Sequence, residues 1–123
     1  MAHPVIHFEI AANDPAKLKT FYSGLFGWSI ESIPGMPDYM MVKTTEEGGQ
    51  GIDGGIMRKQ MPQQANTNYV MVESVAEYAE KAKKLGAQVI VPKTAVPKMG
   101  WFVVCLDPDG IMIGLWEMDP EAA

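Results

Sequence analysis

What the sequence lacks excludes several classes of protein. Its single cysteine, Cys105, cannot form a disulfide within the chain, and we expect a reducing, cytoplasmic setting. Acidic residues outnumber basic ones, 15 against 10, which argues against nucleic acid and anionic membrane surfaces as partners. No apolar run approaches the ~20 residues that a membrane-spanning helix needs. The first residues lack a basic segment followed by an apolar run, so no signal peptide is predicted.

The glycines also lack the spacing of a nucleotide-binding loop. None of the 12 forms a GxGxxG or P-loop motif. Hydrophobic residues make up 47% of the 123 positions, which is enough to form the core of a single domain spanning residues 1–123. The ten methionines fill that core or line an adaptable pocket, because their side chains are flexible and polarisable.

The stretch His7–Trp28 organises the sequence. Apolar residues at every second position predict a β-strand with one apolar face, while the other face carries His7 and Glu9. Asp14 is a good helix N-cap, and Pro15 suits the first helical position. The helix that follows should end at Gly27. Its predicted buried stripe consists of Leu18, Phe21, Tyr22 and Leu25.

The same order of elements occurs twice. A strand, a helix and three strands are predicted up to about residue 60 and again from about 66 to 118, joined by the polar connection Lys59–Ala65. Gly54 and Gly55 interrupt the fourth strand, which suggests a bulge or a close approach of a ligand or another backbone. The second helix begins at Ser74. Its predicted buried stripe consists of Val75, Tyr78, Ala79, Ala82 and Leu85.

The turn Asp107–Gly110 sets the register that we predict for the last hairpin. Leu106 should face Ile111 and Phe102 should face Leu115, which gives an apolar face that packs on helices. The opposite face has a mixture typical of a cavity lining: Trp101, Val103, Cys105, Met112, Gly114 and Trp116. Gly114 should leave space in the middle of the sheet. A shift of one residue would exchange the two faces.

These face assignments predict a cavity that binds a small, partly apolar or aromatic molecule. Its predicted lining consists of His7, Glu9, Tyr69, Trp101, Met112 and Trp116. For Trp101 and Trp116 the alternative is core packing, and Cys105 is expected to be a buried, inert thiol. His7 and Glu9 are the candidate catalytic residues.

Three segments resemble the vicinal oxygen chelate superfamily, which contains glyoxalase I, bleomycin- and fosfomycin-resistance proteins and extradiol dioxygenases. They are HFEIAANDPAKLKTFYSGLFGW, KKLGAQV and FVVCLDPDGIMIGLWE. The resemblance covers nearly the whole chain and implies one glyoxalase-like α+β domain. Two paired βαβββ modules would form a curled eight-stranded mixed sheet around a cavity, with the helices on the outer face.

The resemblance also bears on metal binding. In metal-dependent members, four inward-facing positions supply His and Glu ligands to a divalent ion. His7 falls on the first, and the others fall on about Thr67, near Gly54 and Gly55, and on Gly114. A catalytic metal usually needs about three protein ligands. The resemblance therefore implies a subgroup that has lost the metal site and needs no cofactor. His7 is then a hydrogen-bonded structural residue, a binding residue or a proton-transfer residue.

Three functions stay open on the sequence. The first is a binding protein of the bleomycin-resistance type, which sequesters a small molecule without chemistry. The second is a lyase, isomerase or dioxygenase that uses His7 and Glu9 as an acid–base pair, or a metal completed by another chain. The third is a purely structural dimer module. A homodimer is expected because the edges of a curled sheet are normally covered.

Overall fold

The computed structural model describes residues 2–62 and 64–123. Gln63, in the predicted connection Lys59–Ala65, lies outside the described residues. The chain divides into two compact units. We call His7–Thr67 the first module, and Asn68–Ala123 together with the N-terminal residues up to Ile6 the second module. Each boundary falls two residues after the start of a strand, and that strand is assigned to the module that holds the rest of it.

Each module follows the order strand, helix, three strands. The first contains β1 (Val5–Ala12), α1 (Pro15–Phe26), β2 (Ser29–Ile33), β3 (Met36–Lys43) and β4 (Asp53–Arg58). The second contains β5 (Asn66–Met71), α2 (Val75–Lys84), β6 (Gln88–Val96), β7 (Gly100–Leu106) and β8 (Met112–Met118). The predicted α+β class and the repeated βαβββ order are therefore confirmed. No helix in the described ranges is long and apolar enough to span a membrane.

The strands of the first module lie in the order β2-β3-β4-β1, with β1 parallel to β4 and the other pairs antiparallel. Phe8 and Ile10 of β1 pack on the helix side, as their alternation predicts. The buried core there consists of Ala12, Ile30, Met40, Val42 and Ile56. The opposite side, which we call the inner face, carries His7, Glu9, Tyr39, Met41, Asp53, Gly55 and Met57.

Helix α1 has the predicted ends but a narrower buried stripe. The Asp14 side chain accepts a hydrogen bond from the Lys17 N–H at 3.3 Å, and Gly27 takes the left-handed conformation at φ 71°. Leu18 and Tyr22 pack against the core. The prediction was wrong for Phe21 and Leu25, which are 55% and 59% exposed. Within the first module the helix contacts β2 and β4, and part of its apolar surface stays exposed.

The strands of the second module lie in the order β5-β8-β7-β6, with β5 parallel to β8. The Ser74 hydroxyl accepts a hydrogen bond from the Glu77 N–H at 3.2 Å and caps α2, as predicted. The predicted stripe was wrong at Leu85, which is 80% exposed because it is the C-cap residue. The buried core of this module consists of Val72, Val75, Ala79, Val103 and Cys105.

The register predicted for the last hairpin was wrong by one residue. Leu106 pairs with Met112 and Phe102 pairs with Trp116. The physical reason is the turn, where the Asp107 carboxylate accepts hydrogen bonds from the N–H groups of Asp109 and Ile111. Ile111 thus belongs to the turn. The shift places Trp101, Val103 and Cys105 on the helix side, whereas Met112, Gly114 and Trp116 stay on the other face of β8.

Candidate functional site

Three hydrogen-bonded side chains lie on the inner face of the first module. The His7 Nε2 atom lies 2.9 Å from the Tyr39 hydroxyl oxygen, and that hydroxyl also hydrogen-bonds Glu9. His7 and Glu9 are two residues apart on β1, and Tyr39 reaches them from β3 across the intervening strand β4. We call this set the His–Tyr–Glu triad.

The chemistry of the three groups fixes the direction of the hydrogen bonds. A carboxylate only accepts, so the Tyr39 O–H donates to Glu9. The phenol oxygen then accepts the Nε2–H of His7. This assignment puts the proton of a neutral His7 on Nε2, which is the tautomer set by its hydrogen-bond partner.

Burial determines the charge of the triad. Burial raises the pKa of Tyr39, and the charge and hydrogen bond of Glu9 raise it further. Burial also lowers the pKa of His7, although the nearby Asp53 carboxylate opposes that shift. Both effects follow from the cost of placing a charge away from water. At neutral pH both the imidazole of His7 and the phenol of Tyr39 are therefore neutral.

Gly55 makes the position of Tyr39 possible. Gly55 is buried on β4, between its register partners Glu9 on β1 and Met41 on β3. A Cβ atom at Gly55 would overlap the phenol ring and hydroxyl of Tyr39. At Gly54 a Cβ atom would overlap the carbonyl oxygen of Phe8, which confirms the predicted close approach of another backbone. Sequence reasoning missed Tyr39, although its place on β3 beside the paired glycines was a usable signal.

The second module repeats this arrangement with other neighbours. Tyr69 on β5 is a register partner of Gly114 on β8, and a Cβ atom at Gly114 would overlap its ring. The space predicted above Gly114 is therefore filled by Tyr69, which is only 7% exposed. Met112 and Trp116 flank Gly114 on the same face of β8.

The sequence model of one protein family matches residues 5–115 of this chain. That family is the Glyoxalase/Bleomycin resistance protein/Dioxygenase superfamily. The chain belongs to this superfamily. The resemblance seen in the sequence is thereby confirmed.

One curated relative is longer than this chain. CFP32 of Mycobacterium tuberculosis, a provisionally named glyoxylase, is 29% identical over 116 residues, which is 89% of this chain but 43% of CFP32. The chain thus spans less than half the length of this curated relative.

Solved structures of low sequence identity share the fold. Methylmalonyl-CoA epimerase from Mycobacterium tuberculosis gives a TM-score of 0.66 at 12% identity, covering 94% of this chain and 88% of the epimerase. A superfamily member from Vibrio splendidus 12B01 gives a TM-score of 0.63 at 12% identity, covering 96% of this chain and 100% of that protein.

The donor set does not fit the metal centre of metal-dependent superfamily members. Of the positions that the resemblance assigns, His7 carries a good ligand, whereas Thr67 is a poor one. Gly55 and Gly114 have no side chain, and tyrosine rings lie over both. Within residues 2–62 and 64–123, no three His, Cys, Asp or Glu side chains are grouped closely enough to hold a metal ion.

Trp101 does not lie on the face that the sequence predicted. It packs in the helix-side cluster of the second module, where its Nε1–H donates to the Asp119 carboxylate at 2.9 Å. The Lys93 ammonium group lies 4.5 Å from the centre of its ring. Cys105 lies on the same side, 1% exposed, and burial raises its pKa. The joint lining by His7, Glu9, Tyr69, Met112 and Trp116 stays a prediction.

Proposed function

We propose that this superfamily member binds a small, partly apolar or aromatic molecule and recognises its polar group through the His–Tyr–Glu triad. The observation that carries the proposal is the hydroxyl of Tyr39, held between His7 and Glu9 on the inner face. Ligand sites are mostly apolar surfaces with a few fixed polar groups, and the triad supplies such groups.

We propose further that binding proceeds without a family-type metal centre. The support is the donor set: Tyr39 covers Gly55 and Tyr69 covers Gly114, and the resemblance assigns ligand positions near Gly54 and Gly55 and at Gly114. Within the triad, the neutral side chains of His7 and Tyr39 offer hydrogen bonds in place of a Lewis acid. A ligand hydroxyl, carbonyl or amine suits such partners, because each can exchange hydrogen bonds with a phenol or an imidazole.

A second function is supported by the protonation state of His7. Burial lowers its pKa, so the imidazole is neutral at pH 7 and could accept a proton as a general base. This favours a lyase, isomerase or dioxygenase in which His7 and Glu9 form the acid–base pair. Such an enzyme would convert the molecule that the first proposal only binds.

A titration with the tyrosine variant Tyr39→Phe tests the binding proposal. Phenylalanine keeps the ring over Gly55 but removes the hydroxyl, so its hydrogen bonds to His7 and Glu9 and its bond to the polar group of the ligand are lost. A panel of aromatic compounds and thiol conjugates is titrated by calorimetry. For compounds that bind, we expect the Kd to rise about fivefold, the equivalent of ~1 kcal/mol for a lost hydrogen bond.

Tyr22→Phe is the matched control, because Tyr22 packs against the helix-side core of the same module. It should leave the Kd unchanged. Equal affinities of Tyr39→Phe and the unaltered protein would contradict the proposal. If no compound of the panel binds, the structural dimer module is favoured instead. Turnover of a bound compound that is lost in His7→Ala would establish the enzyme.

We also propose that the protein is a homodimer and that it resides in the cytoplasm. A homodimer is supported by the superfamily's paired modules and is tested by sedimentation at micromolar concentration, where a 13.5 kDa species alone would contradict it. A cytoplasmic setting is supported by the single buried thiol, Cys105.

A further inference from the structure

An open cleft of about 290 Å³ adjoins the triad within the first module. Its lining consists of Met36, Pro37, Asp38, Tyr39, Met57 and Gln60. Tyr39 thus belongs to both sites, with its hydroxyl in the triad and its side chain in the wall of the cleft. The volume lies at the lower end of the ~300–1,000 Å³ that ligand pockets span. It suits a molecule with a single ring.

The wall of the cleft has the chemistry of an aromatic-ring site. Tyr39 and Met57 are direct cross-strand partners on β3 and β4, and Met36 begins β3. Thioether sulfur makes favourable contacts with aromatic rings, and methionine adapts its shape to a flat ligand. The side chain of Met57 is also held in place, because the Gln64 Nε2 group lies 3.8 Å from its sulfur.

The charge around the cleft selects among aromatic ligands. Asp38 is the charged residue among the described residues that line the cleft. Its carboxylate lies 3.5 Å from the Arg58 guanidinium, but both side chains are mostly exposed, so this pairing is weak. Because Arg58 is not part of the lining, an anionic ligand in the cleft would meet the Asp38 carboxylate first, whereas a neutral or cationic ligand would not be repelled by it.

We propose that this cleft binds a single planar aromatic ring that is neutral or positively charged. The inference rests on the proposed small-molecule function and deepens it by naming the ligand class and the wall that holds the ring. The ring packs against Met57 and Tyr39, and the positive or neutral substituent faces the Asp38 side.

The test uses protein labelled with ¹³C in the methionine methyl groups. Benzylamine, benzyl alcohol and benzoate are titrated in turn while the ten methionine methyl signals are followed. We expect benzylamine and benzyl alcohol to shift the signals of Met36 and Met57, and benzoate to need severalfold higher concentrations. The variants that lack one methionine assign the signals.

Met57→Ala should weaken benzylamine binding about fivefold, because it removes the sulfur contact and one wall of the cleft. Met57→Leu preserves the apolar bulk and should fold even if the alanine variant does not, with a smaller loss. Met99→Ala is the matched control, since Met99 is 57% exposed in the second module. It should bind like the unaltered protein.

Two outcomes would overturn the inference. One is the absence of any shift at Met36 and Met57 with all three compounds, and the other is benzoate binding as tightly as benzylamine. The cleft and the triad are tested by different measurements. Tyr39→Phe keeps the ring in the cleft wall, so a Met57 shift that persists in this variant supports the cleft, whatever that variant does to larger ligands.

Discussion

The two modules use the same arrangement, a tyrosine ring over a buried glycine, in different chemical surroundings. In the first, Tyr39 lies over Gly55 and places its hydroxyl between His7 and Glu9. In the second, Tyr69 lies over Gly114, and the neighbours on β8 are Met112 and Trp116. The comparison shows that the residues beside the ring decide its chemistry. The first module therefore places polar groups beside its ring, while this part of the second places apolar side chains beside its ring.

The largest effects are expected from filling the two glycines. Gly55→Ala and Gly114→Ala should each lower the free energy of unfolding by about 1–3 kcal/mol, the cost of overpacking. Gly114→Ala should cost more, because Tyr69 is 7% exposed and has less room to move than the partly exposed Tyr39. Urea denaturation measures both losses.

Gly24→Ala is the control for these two variants. Gly24 lies inside α1, and nothing lies within 4 Å of the position of its added Cβ atom. Alanine there should stabilise the protein by about 0.5–1 kcal/mol, because it favours the helix. If Gly55→Ala and Gly114→Ala matched this gain, the tyrosine rings would not depend on the glycines.

The triad should contribute to stability as well as to binding. Tyr39→Phe removes the hydroxyl between His7 and Glu9 and should lower the free energy of unfolding by about 0.5–1.5 kcal/mol. Tyr22→Phe, measured in the same denaturation series, should change it less. An equal loss in the two variants would mean that the hydrogen bonds of Tyr39 add nothing to the folded state.

Stability should depend on pH through His7. Burial lowers its pKa in the folded state, so the unfolded chain, with a pKa near 6.5, binds the proton more readily. The free energy of unfolding should therefore fall as the pH drops from about 7 through 6.5 towards the folded-state pKa. This loss of stability at lower pH should be reduced in the variant His7→Gln. It should be kept in the control variant His3→Gln, since the His3 ring hydrogen-bonds Glu73 at the surface. A pH profile unchanged by His7→Gln would refute this assignment.

The smallest effect on binding is expected from Trp101→Phe. Trp101 packs on the helix side and donates to Asp119, so its loss should leave the Kd for panel compounds within about twofold. The variant should lose stability by about 1–3 kcal/mol, because it removes the hydrogen bond to Asp119, part of the packing in the cluster and part of the contact with Lys93. A large rise in the Kd would favour the hairpin register that the sequence predicted, in which Trp101 lies beside the ligand.

Local signals in the sequence predicted the ends of the elements well. Asp14, Ser74 and Gly27 act within one helical turn, so their roles follow from residue type and position. Strand alternation also placed His7 and Glu9 on the face opposite Phe8 correctly.

Features that depend on distant or side-chain contacts could not be predicted in the same way. The hairpin register shifted because the Asp107 carboxylate bonds two N–H groups and draws Ile111 into the turn. Tyr39 joins the triad through a hydrogen bond to a residue 32 positions away. Such contacts are set by the packing of strands, which a reading of one strand at a time does not contain.

The central claim is that the inner face of the first module carries the His–Tyr–Glu triad in place of a metal centre. Elemental analysis of protein purified without chelator tests it most directly. The account predicts far less than one ion of zinc, nickel, iron or manganese per chain, with no difference between the unaltered protein and His7→Ala. A content near one ion per chain that disappears in His7→Ala would contradict the account.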